Sequence, residues 1–469
     1  MARANTRNPR TGELDHFAEC CDADAVQQLA ASLRAAQEDW AGLGAEARGR
    51  VLARFAEALE AASDTVIESL LRDTGRHRES VVEVQGTVGL LRRWAEQGPA
   101  LLQSPPVRPS QTPPIQIRTE AVPYALVGAV TPWNFPLLLS LIDAAPALIA
   151  GSACLIKPSE VTPRFVEPLR GVLAQVPELD AVLHFALGDG RVGAAVCESV
   201  DMICFTGSVA TGEIVSRLAG RRMIPASLEL GGKDAALVFA DADLDHAARA
   251  ICWGGFSNAG QACQSIERVY VQREVCDEFL KRLVACTGRL RLNTADAHRG
   301  EIGPVISLSQ VDIIRAHLAD AYDRGAEALI GGEVVQHGGG FWCRPSVLGG
   351  VDHGMQIMRD ETFAAILPVM PFDDDDEAVA LANDTRYGLS GAVFGGDVER
   401  LHRIAGRLQA GAISINDCAL TTVVHDGEKN SFKSSGLGGS RMGTASIRRF
   451  YRTRTRLENP GSAPQPWWY

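Results

Sequence analysis

The sequence predicts an α/β protein with two parallel-sheet domains and a small β extension. From residue 124 onward, short apolar runs alternate with helical segments, which is typical of βα units on a parallel sheet. The chain has 469 residues, more than one hydrophobic core usually organises. The alternation also comes in two sets, each large enough for one sheet. The predicted strands are Ala125–Val130, Ala153–Ile156, Val182–Leu187, Met202–Phe205 and Ala226–Leu230, then Ala235–Phe239, Arg268–Val271, Ile366–Pro371, Gly391–Phe394 and Ala412–Ile415.

The regions outside these two sets predict helices and exposed strands. Residues 23–73 have helical apolar spacing and predict outer helices. Ile115–Thr119 alternates like an exposed strand, and Arg449–Leu457 predicts another that is available to pair with a neighbouring subunit. A proline-rich end follows, and aromatic residues at a chain end are usually disordered or docked on a neighbour. These residues are Trp467, Trp468 and Tyr469.

Charge and cysteine content exclude several classes of protein. The formal net charge is −11 and no basic stripe occurs apart from Arg448–Arg456, so we expect no nucleic-acid partner. The 11 cysteines are scattered, without a C-x-x-C pair or histidine-rich spacing. This favours a reducing compartment over a disulfide framework or a zinc site, so we expect no metal.

Neither a leader nor a membrane span is expected. The N-terminal segment contains arginines and a proline but no apolar run typical of a signal peptide. Ala121–Ile142 has 22 residues without a charge, which is long enough to cross a bilayer. Its prolines and the turn-like Thr131–Asn134 instead predict a buried strand, a loop and a helix start. We therefore expect a cytoplasmic protein.

One stretch, Ser257–Gln264, places Cys263 in a short loop of small and polar residues. Apolar spacing predicts a helix over Leu244–Phe256 before the loop and a strand over Arg268–Val271 after it. A thiol on such a turn is open to a cleft yet rigidly aimed, as a nucleophile requires. The alternative is a buried structural cysteine, which is the commoner state of a free thiol.

Two further polar residues stand at predicted strand ends. Asn134 follows one strand and precedes a helix, so its amide N–H₂ suits an oxyanion donor, although it could equally cap the helix. Glu229 ends another strand beside Gly231 and Gly232, which permit close approach. A partly desolvated glutamate there suits a general base, and the alternative is a salt-bridged glutamate.

Three turns have the composition of nucleotide contacts. Lys157 and Glu160 follow a strand, where a carboxylate suits a ribose diol, although a solvated surface pair is the commoner arrangement. Gly188–Gly193 has the spacing G-x-G-x-x-G, and Phe205–Gly212 is another glycine-bounded turn entering a helix. Either helix start suits a phosphate through its backbone N–H groups, and the alternative for both is an ordinary tight turn.

These motifs, taken together and in this order, resemble the aldehyde dehydrogenase superfamily. The resemblance extends from about residue 52 to residue 457, and several separate motifs in order make it specific. It implies that Cys263 is the nucleophile, Glu229 the general base and Asn134 the oxyanion donor.

The same resemblance implies a bound NAD, with NADP possible. A carboxylate near the ribose diol accepts hydrogen bonds from NAD and repels a 2′-phosphate, so we expect Glu160 to favour NAD. By resemblance, the motif Glu361-Thr362-Phe363 holds the nicotinamide riboside and Trp133 lies beside the nicotinamide. The residues that the resemblance assigns to the cofactor are Trp133, Lys157, Glu160, Gly190, Phe205, Gly207, Ser208, Gly212, Leu230, Glu361 and Phe363.

The resemblance also implies a role for each part of the chain. Residues 1–105 and 123–231 would form the dinucleotide-binding domain, and residues 232–427 the catalytic domain that carries the nucleophile. Residues 106–122 and 428–469 would be oligomerisation segments. We therefore expect a homodimer or a homotetramer.

The sequence departs from the family pattern at three places. Ala364 and Ala365 stand where the family usually has Gly-Pro, which affects how firmly the nicotinamide is held. Asp143 stands where a lysine is often found. The late glycine-rich motif is altered to Asn430–Gly436 near the substrate entrance, so the substrate class of relatives does not transfer directly.

The expected reaction is NAD-dependent oxidation of an aldehyde to the acid through a thiohemiacetal and a thioester of Cys263. Leu138, Leu139 and Ile142 after Asn134, with the candidate entrance loop 419–424, are mostly apolar. They favour an aliphatic or aromatic aldehyde, unless these side chains are simply core. The alternatives are a coenzyme-A-acylating enzyme, which the presence of Glu229 disfavours, and a catalytically silent relative.

Overall fold

The computed structural model describes residues 3–461, 465, 467 and 468, and it has the α/β fold with two mostly parallel sheets that the sequence predicts. Of the aromatic trio, Trp467 and Trp468 are about half exposed, and Tyr469 lies outside the described residues. The same holds for Ser462, Ala463, Pro464 and Pro466 of the proline-rich end.

Short strands and helices follow one another along most of the chain. The strands are β1 (Arg3–Arg7), β2 (Leu14–Glu19), β3 (Arg108–Pro109), β4 (Gln116–Pro123), β5 (Leu126–Val130), β6 (Ala153–Lys157), β7 (Leu183–Phe185), β8 (Met202–Thr206), β9 (Ala226–Glu229), β10 (Asp234–Val238), β11 (Ile266–Gln272), β12 (Glu327–Ile330), β13 (Val334–His337), β14 (Gly340–Cys343), β15 (Ser346–Gly349), β16 (Ile366–Phe372), β17 (Ser390–Phe394), β18 (Ala412–Ile415), β19 (Gly436–Leu437) and β20 (Tyr451–Glu458). The helices are α1 (Ala23–Gly42), α2 (Ala45–Ala61), α3 (Ser63–Thr74), α4 (His77–Leu101), α5 (Pro136–Leu141), α6 (Ala144–Ala150), α7 (Val166–Leu173), α8 (Pro177–Asp180), α9 (Gly190–Ser199), α10 (Val209–Arg222), α11 (Leu244–Phe256), α12 (Cys276–Thr287), α13 (Leu308–Asp323), α14 (Gln356–Arg359), α15 (Asp375–Asn383) and α16 (Val398–Ala405).

The first large sheet carries the predicted nucleotide motifs. Within the described part of the chain it has six strands in the order β19-β9-β8-β5-β6-β7, all parallel except β19. The carboxyl ends of parallel strands meet at one edge, so the turns after β5, β6, β8 and β9 lie together. The late segment β19 runs antiparallel to β9 and sets Gly436 opposite Glu229.

The second large sheet carries the loop that contains Cys263, the predicted nucleophile. Among the described residues it has seven strands in the order β12-β15-β16-β11-β10-β17-β18, parallel except for the pairing of β12 with β15. Alternate residues of β10 face opposite cores, with Ala235 and Leu237 on one side and Ala236 and Val238 on the other. Burial on both faces explains why these strands are continuous apolar runs.

A third, antiparallel sheet has the order β20-β4-β3, and β20 pairs with β4 from Tyr451 opposite Pro123 to Glu458 opposite Gln116. The two exposed strands predicted by the sequence therefore pair with each other. The hairpins β1–β2 and β13–β14 were not predicted, because their strands are short and do not show a clear alternation of apolar and polar residues. The boundaries proposed for the domains and oligomerisation segments stay a prediction.

The uncharged stretch 121–142 forms the end of β4, then β5, a loop and α5, as its prolines predict. None of the helices in the described ranges is long and apolar enough to cross a membrane. Helix α11 leads into the Cys263 loop, and its start is fixed by Asp243, whose side chain accepts hydrogen bonds from the N–H groups of Asp245 and His246.

Candidate active site

The turn that leads to Cys263, the predicted nucleophile, begins where α11 ends, and its backbone is strained. Asn258 and Ala259 have φ angles of 53° and 54°, and Gly260 follows with a φ of 74°. Left-handed backbone is unfavourable for residues that carry a Cβ. A Cβ on Gly260 would also lie 2.2 Å from the carbonyl carbon of Ala364. The chain thus turns sharply three residues before Cys263, and only glycine suits the last of these positions.

Hydrogen bonds of the turn's own side chains hold this conformation. Asn258 donates from Nδ2 to the Gln261 carbonyl at 2.8 Å. The Gln261 side chain donates to the Pro304 carbonyl at 3.0 Å and accepts from the Ile306 N–H at 2.9 Å. Asn258 and Gln261 are both buried. They replace the water that a loop backbone would otherwise need.

Asn134 links the first sheet to this turn. It stands in the loop between β5 and α5, is 4% exposed, and donates from Nδ2 to the Gln261 carbonyl at 3.1 Å. In return, Asn258 donates from Nδ2 to the Asn134 carbonyl at 3.3 Å. The structure therefore brings two of the predicted catalytic segments, Asn134 and the Cys263 turn, into direct contact.

A buried ion pair supports that contact from behind. The Arg76 guanidinium donates to the Asn134 carbonyl and to Oδ1 of Asn258. It lies 3.5 Å from the carboxylate of Glu83, which itself accepts from the N–H groups of Leu137 and Leu138 at the start of α5. Burial raises the pKa of Glu83 to about 7, and the Arg76 charge offsets part of that rise. Neither Arg76 nor Glu83 was predicted from the sequence.

Cys263 as a whole residue is partly exposed, but its sulfur atom is surrounded by protein and shielded from water. Burial raises the pKa of Cys263 to about 12. The positive charge of Lys429 acts against this rise, whereas the carboxylates of Glu361, Glu229 and Asp234 add to it. In this state the thiol is protonated at neutral pH, so it needs a base or a change in its charged surroundings to become a nucleophile.

Glu229 lies at the end of β9 and its side chain is 12% exposed. Its Oε2 accepts a hydrogen bond from Ser431 at 2.9 Å and lies 3.8 Å from Nζ of Lys429. Both partners belong to the segment before β19, which pairs with β9. The carboxylate is held by one hydroxyl and one ammonium group. Its charge acts on the Cys263 thiol and raises the pKa of that thiol.

The segment Glu361–Phe363 is fixed to the second sheet by Glu267, a buried carboxylate in β11. Glu267 accepts from the N–H groups of Thr362 and Phe363 at 2.7 and 2.8 Å and from Nζ of Lys233 at 2.6 Å. Glu361 accepts from the Gly232 N–H at 3.0 Å. Burial raises the pKa of Glu361 to about 8, and the Glu267 charge adds to the rise.

An aromatic pair joins a loop of the first sheet to a loop of the second. The rings of Trp133 and Phe363 meet edge to face, with centroids 5.4 Å apart and an interplanar angle of 83°. Trp133 follows β5 and Phe363 precedes β16, so the pair joins the same two loops as Asn134 and Glu361. Flat apolar surfaces of this kind suit a nicotinamide ring.

The proposed adenosine end of the site consists of one ion pair after β6. Nζ of Lys157 lies 2.6 Å from Oε2 of Glu160. The Lys157 side chain is 6% exposed, whereas 43% of the Glu160 side chain is exposed. An accessible carboxylate beside a fixed ammonium group provides both an acceptor and a donor for a diol, so the residues present suit a ribose.

The two candidate phosphate turns differ in their caps. The start of α9 is occupied by Asp189, whose carboxylate accepts from the Arg191 N–H at 2.9 Å. The start of α10 is capped by the neutral Ser208, which accepts from the Thr211 N–H at 3.3 Å. A carboxylate at a helix start repels a phosphate, so the geometry favours α10.

Gly207 and Gly212 of the α10 turn also differ from Gly190 of the α9 turn in how closely neighbouring atoms approach them. A Cβ on Gly207 would lie 2.5 Å from the Phe205 ring, and one on Gly212 would lie 2.5 Å from Leu230. A Cβ on Gly190 would meet nothing within 4 Å. Gly207 and Gly212 are therefore closely packed and Gly190 is not, and Phe205 and Leu230 are the packing partners at the α10 turn.

A family model described as the aldehyde dehydrogenase family matches residues 2–456. The chain belongs to the aldehyde dehydrogenase family. The sequence-based expectation of an NAD(P)-dependent oxidoreductase of this family is thereby confirmed.

Two relatives of this aldehyde dehydrogenase have related names. The 4,4'-diapolycopene aldehyde oxidase of a Methylomonas species is 38% identical over 435 residues, covering 91% of this chain and 80% of that protein. A Mycobacterium ulcerans protein named as a succinate-semialdehyde dehydrogenase [NADP(+)] is 34% identical over 398 residues, covering 84% of this chain and 77% of that protein.

Two solved structures are also similar to this dehydrogenase. The structure of a protein named as the aldehyde dehydrogenase PutA from Anabaena variabilis is 47% identical, covers 100% of both chains and has a TM-score of 0.98. Betaine aldehyde dehydrogenase from Staphylococcus aureus in complex with NAD+ is 27% identical, with a TM-score of 0.93 and coverage of 100% of this chain and 94% of that chain. Both confirm the fold.

The departures from the family pattern have local explanations in this dehydrogenase. Asp143 is buried between Arg441 and Arg449, with contacts of 2.5 and 2.9 Å. Burial alone would raise the pKa of Asp143, but the two arginines lower it to about 2. Ala364 and Ala365 are buried, and Ala364 packs against the left-handed Gly260 of the nucleophile turn.

Five polar or charged residues that support the site were not predicted from the sequence. Glu83 and Glu267 interrupt apolar segments, which is a weak signal, but the partners of all five lie far away in sequence. The five residues are Arg76, Glu83, Glu267, Lys429 and Ser431. No group of three or more His, Cys, Asp or Glu side chains that could hold a metal ion occurs in the parts of the chain that the structure describes.

Proposed function

We propose that this dehydrogenase oxidises an aldehyde to the carboxylic acid through a thioester on Cys263. The hydrogen bond from the Asn134 side chain to the Gln261 carbonyl, 3.1 Å long, carries the proposal. It sets an amide donor from the first sheet beside the turn that bears the thiol. A donor at that place suits the oxygen of a carbonyl under attack by Cys263.

The chain's own groups then have defined tasks. The Cys263 thiolate forms a C–S bond to the aldehyde carbon, and the carbonyl electrons move to oxygen, which accepts from the Asn134 amide and the Cys263 N–H. NAD(P)+, when bound, supplies the acceptor for the hydride that leaves this carbon. Glu229 takes a proton from water, the water oxygen attacks the thioester carbon, and the C–S bond breaks to release acid and thiolate.

We propose an apolar aldehyde as the substrate class, because the partly exposed side chains on α5 and on the entrance loop are mostly apolar. Leu138, Leu139 and Ile142 are partly exposed on or next to α5, whereas other leucines of that helix are buried. Val423 and Val424 of the entrance loop are 61% and 46% exposed. Thr421 of this loop hydrogen-bonds to Gln264, which follows the nucleophile. The name of the Methylomonas relative supports an apolar substrate, and that of the M. ulcerans relative supports a charged semialdehyde.

A spectrophotometric assay of NADH formation separates these functions. We expect turnover with octanal and benzaldehyde that exceeds turnover with succinate semialdehyde, without coenzyme A. A requirement for coenzyme A would establish the acylating alternative. Absence of NADH with every aldehyde, and of NADPH when NADP replaces NAD, would establish a catalytically silent relative, and a preference for the semialdehyde would contradict the proposed substrate class.

We propose NAD as the preferred cofactor, because the carboxylate of Glu160 is accessible at the position proposed for the ribose. A 2′-phosphate at this position would meet a negative charge. A kcat/KM with NADP equal to or above that with NAD would contradict the proposal.

We propose a homodimer or homotetramer that uses the three-stranded sheet. Strand β20 is at an edge of that sheet and its side chains are largely exposed, so its free backbone groups suit pairing with a neighbour. Ile447 and Phe450 just before it are buried in the core. Removal of residues 451–469 therefore tests the interface better than a longer truncation, and an unchanged oligomer in light scattering would contradict it.

We also propose a reducing compartment, with the cytoplasm as the simplest location. All 11 cysteines are free thiols in the structure. Cys154, Cys204 and Cys418 are buried in the core, where they pack as small apolar residues. Mass measurement after alkylation of unfolded protein from cells should find no disulfide.

A further inference from the structure

The segment that precedes β19 runs alongside the strand that bears Glu229. The Leu230 N–H donates to the Ser435 carbonyl at 2.8 Å, and Ser435 donates from its hydroxyl to the Gly231 carbonyl at 2.7 Å. These bonds continue the antiparallel pairing of Gly436 with Glu229. Side chains a few residues earlier in the segment are thereby directed to the carboxylate.

Two of these side chains contact the carboxylate. Nζ of Lys429 lies 3.8 Å from Oε2 of Glu229, and the Ser431 hydroxyl donates to the same oxygen at 2.9 Å. Lys429 is 7% exposed, and its backbone is held by an N–H bond of 3.0 Å to the Ser440 hydroxyl. A lysine that is this buried is rare unless it is paired.

The charges around the Cys263 thiol show what this ammonium group does. Burial of the sulfur and the carboxylates of Glu361, Glu229 and Asp234 all raise the pKa of Cys263. Lys429 lowers it, and it also lowers the pKa of Asp234. Among the described residues whose charges act most strongly on the pKa of Cys263, Lys429 is the one cation, and the other three are carboxylates.

We propose that Lys429 is a positioning residue of this active site, which holds the Glu229 carboxylate together with Ser431 and offsets the negative charge around the Cys263 thiol. The inference rests on the proposed roles of Cys263 and Glu229. It involves only the loss of the thiol proton to solvent or to a base, and no electron transfer.

The test measures the rate at which iodoacetamide alkylates Cys263 between pH 7 and pH 9.5, with the Cys263 peptide quantified by mass spectrometry. The thiolate displaces iodide, so the rate follows the thiolate fraction. We expect Lys429→Met to slow alkylation about tenfold at each pH, and Lys429→Arg to stay within about threefold of the wild type. The comparison is read at pH 9, where Asp234 and Glu361, with pKa values of about 7 and about 8, are largely ionised.

The matched control is Lys433→Met, on the same segment. The Lys433 ammonium group donates to the carbonyls of Asn383 and Thr385, and Lys433 is not among the main charge contributions to Cys263. We expect wild-type alkylation from this variant. If Lys429→Met does not fold, Lys429→Gln carries the same comparison, because it also removes the charge.

Ser431→Ala separates the two parts of the proposal. Loss of its hydrogen bond should lower kcat several-fold and leave the alkylation profile unchanged, because the cation remains. Wild-type alkylation of the Lys429→Met or Lys429→Gln enzyme would overturn the proposal, as would wild-type kcat in Ser431→Ala. Alkylation needs neither aldehyde nor cofactor, so failure of the proposed oxidation would leave this result interpretable.

Discussion

The two ends of the cleft are built differently. At the nucleophile end, side chains from both sheets are buried and bonded to one another, with Asn134, Asn258 and Gln261 in one network. At the adenosine end, Lys157 and Glu160 come from a single turn, and the carboxylate is open to solvent. The nucleophile end is therefore stabilised by contacts between residues that are far apart in sequence. The adenosine end is stabilised by a contact between residues three positions apart.

This difference has an energetic consequence. The left-handed residues Asn258 and Ala259 cost about 1–3 kcal/mol each, and such conformations persist only where the surroundings enforce them. Changes to the buried network of Asn134, Asn258 and Gln261 should therefore affect folding and chemistry together. Changes at the adenosine end should affect cofactor affinity and leave the free energy of unfolding nearly unchanged.

The largest effect is expected from Cys263→Ala at the nucleophile end. Without the thiol no covalent intermediate forms, so we expect no aldehyde-dependent NADH at any time after mixing. A folded control is required, and near-wild-type thermal unfolding would provide it. Measurable NADH from this variant would place the nucleophile at another cysteine.

The next effect concerns the ion pair behind Asn134. Arg76→Met leaves Glu83 buried without its partner, which typically destabilises a protein by about 3–5 kcal/mol. We expect that loss in urea unfolding, together with a lower kcat. The control is Arg72→Met on α3, which removes an exposed pair with Glu68 and should change stability by less than about 1 kcal/mol. Equal effects of both variants would contradict the assigned support role.

A pH-dependent effect is expected at Asp143, also on the first sheet's side of the cleft. Because Arg441 and Arg449 hold the pKa of Asp143 at about 2, below the usual 3.8, its stabilising effect is complete above pH 4. The effect is lost as the pH falls through 2, and it amounts to about 2 kcal/mol. The unfolding free energies of wild type and Asp143→Asn should therefore converge between pH 5 and pH 2, and a constant difference would refute the assignment.

The smallest effect is expected at the adenosine end. Glu160→Gln removes the negative charge and keeps the size of the side chain. We expect kcat/KM with NAD to fall about tenfold and the preference for NAD over NADP to shrink by a similar factor, the usual worth of one hydrogen bond to a charged group. The melting temperature should stay within a few degrees of the wild type. A large loss of stability would remove the contrast between the two ends.

The sequence predicted the elements that local pattern determines. Apolar runs located the strands from β5 to β11, and helical spacing before Cys263 placed α11 within its observed bounds. The segments proposed for catalysis and for the ribose could be proposed from the sequence because each has its own motif, and their roles stay predictions. Residues such as Arg76 and Glu267 were missed, because their role is set by partners that only the fold brings near. The sequence also left open which helix start would bind a phosphate. The start of α10 became the better candidate only when the structure showed that the Asp189 carboxylate caps α9.

The central claim is that Cys263 forms the covalent intermediate and Glu229 serves its hydrolysis. Rapid mixing of Glu229→Gln with NAD and aldehyde tests this most directly, because glutamine keeps the size and the hydrogen bond of Ser431 but cannot take a proton. We expect a burst of up to one NADH per active site, followed by turnover slowed about 10²–10⁴-fold. If the burst is also slow and recovers at higher pH, Glu229 deprotonates the thiol as well. Wild-type steady-state turnover in this variant would contradict the account.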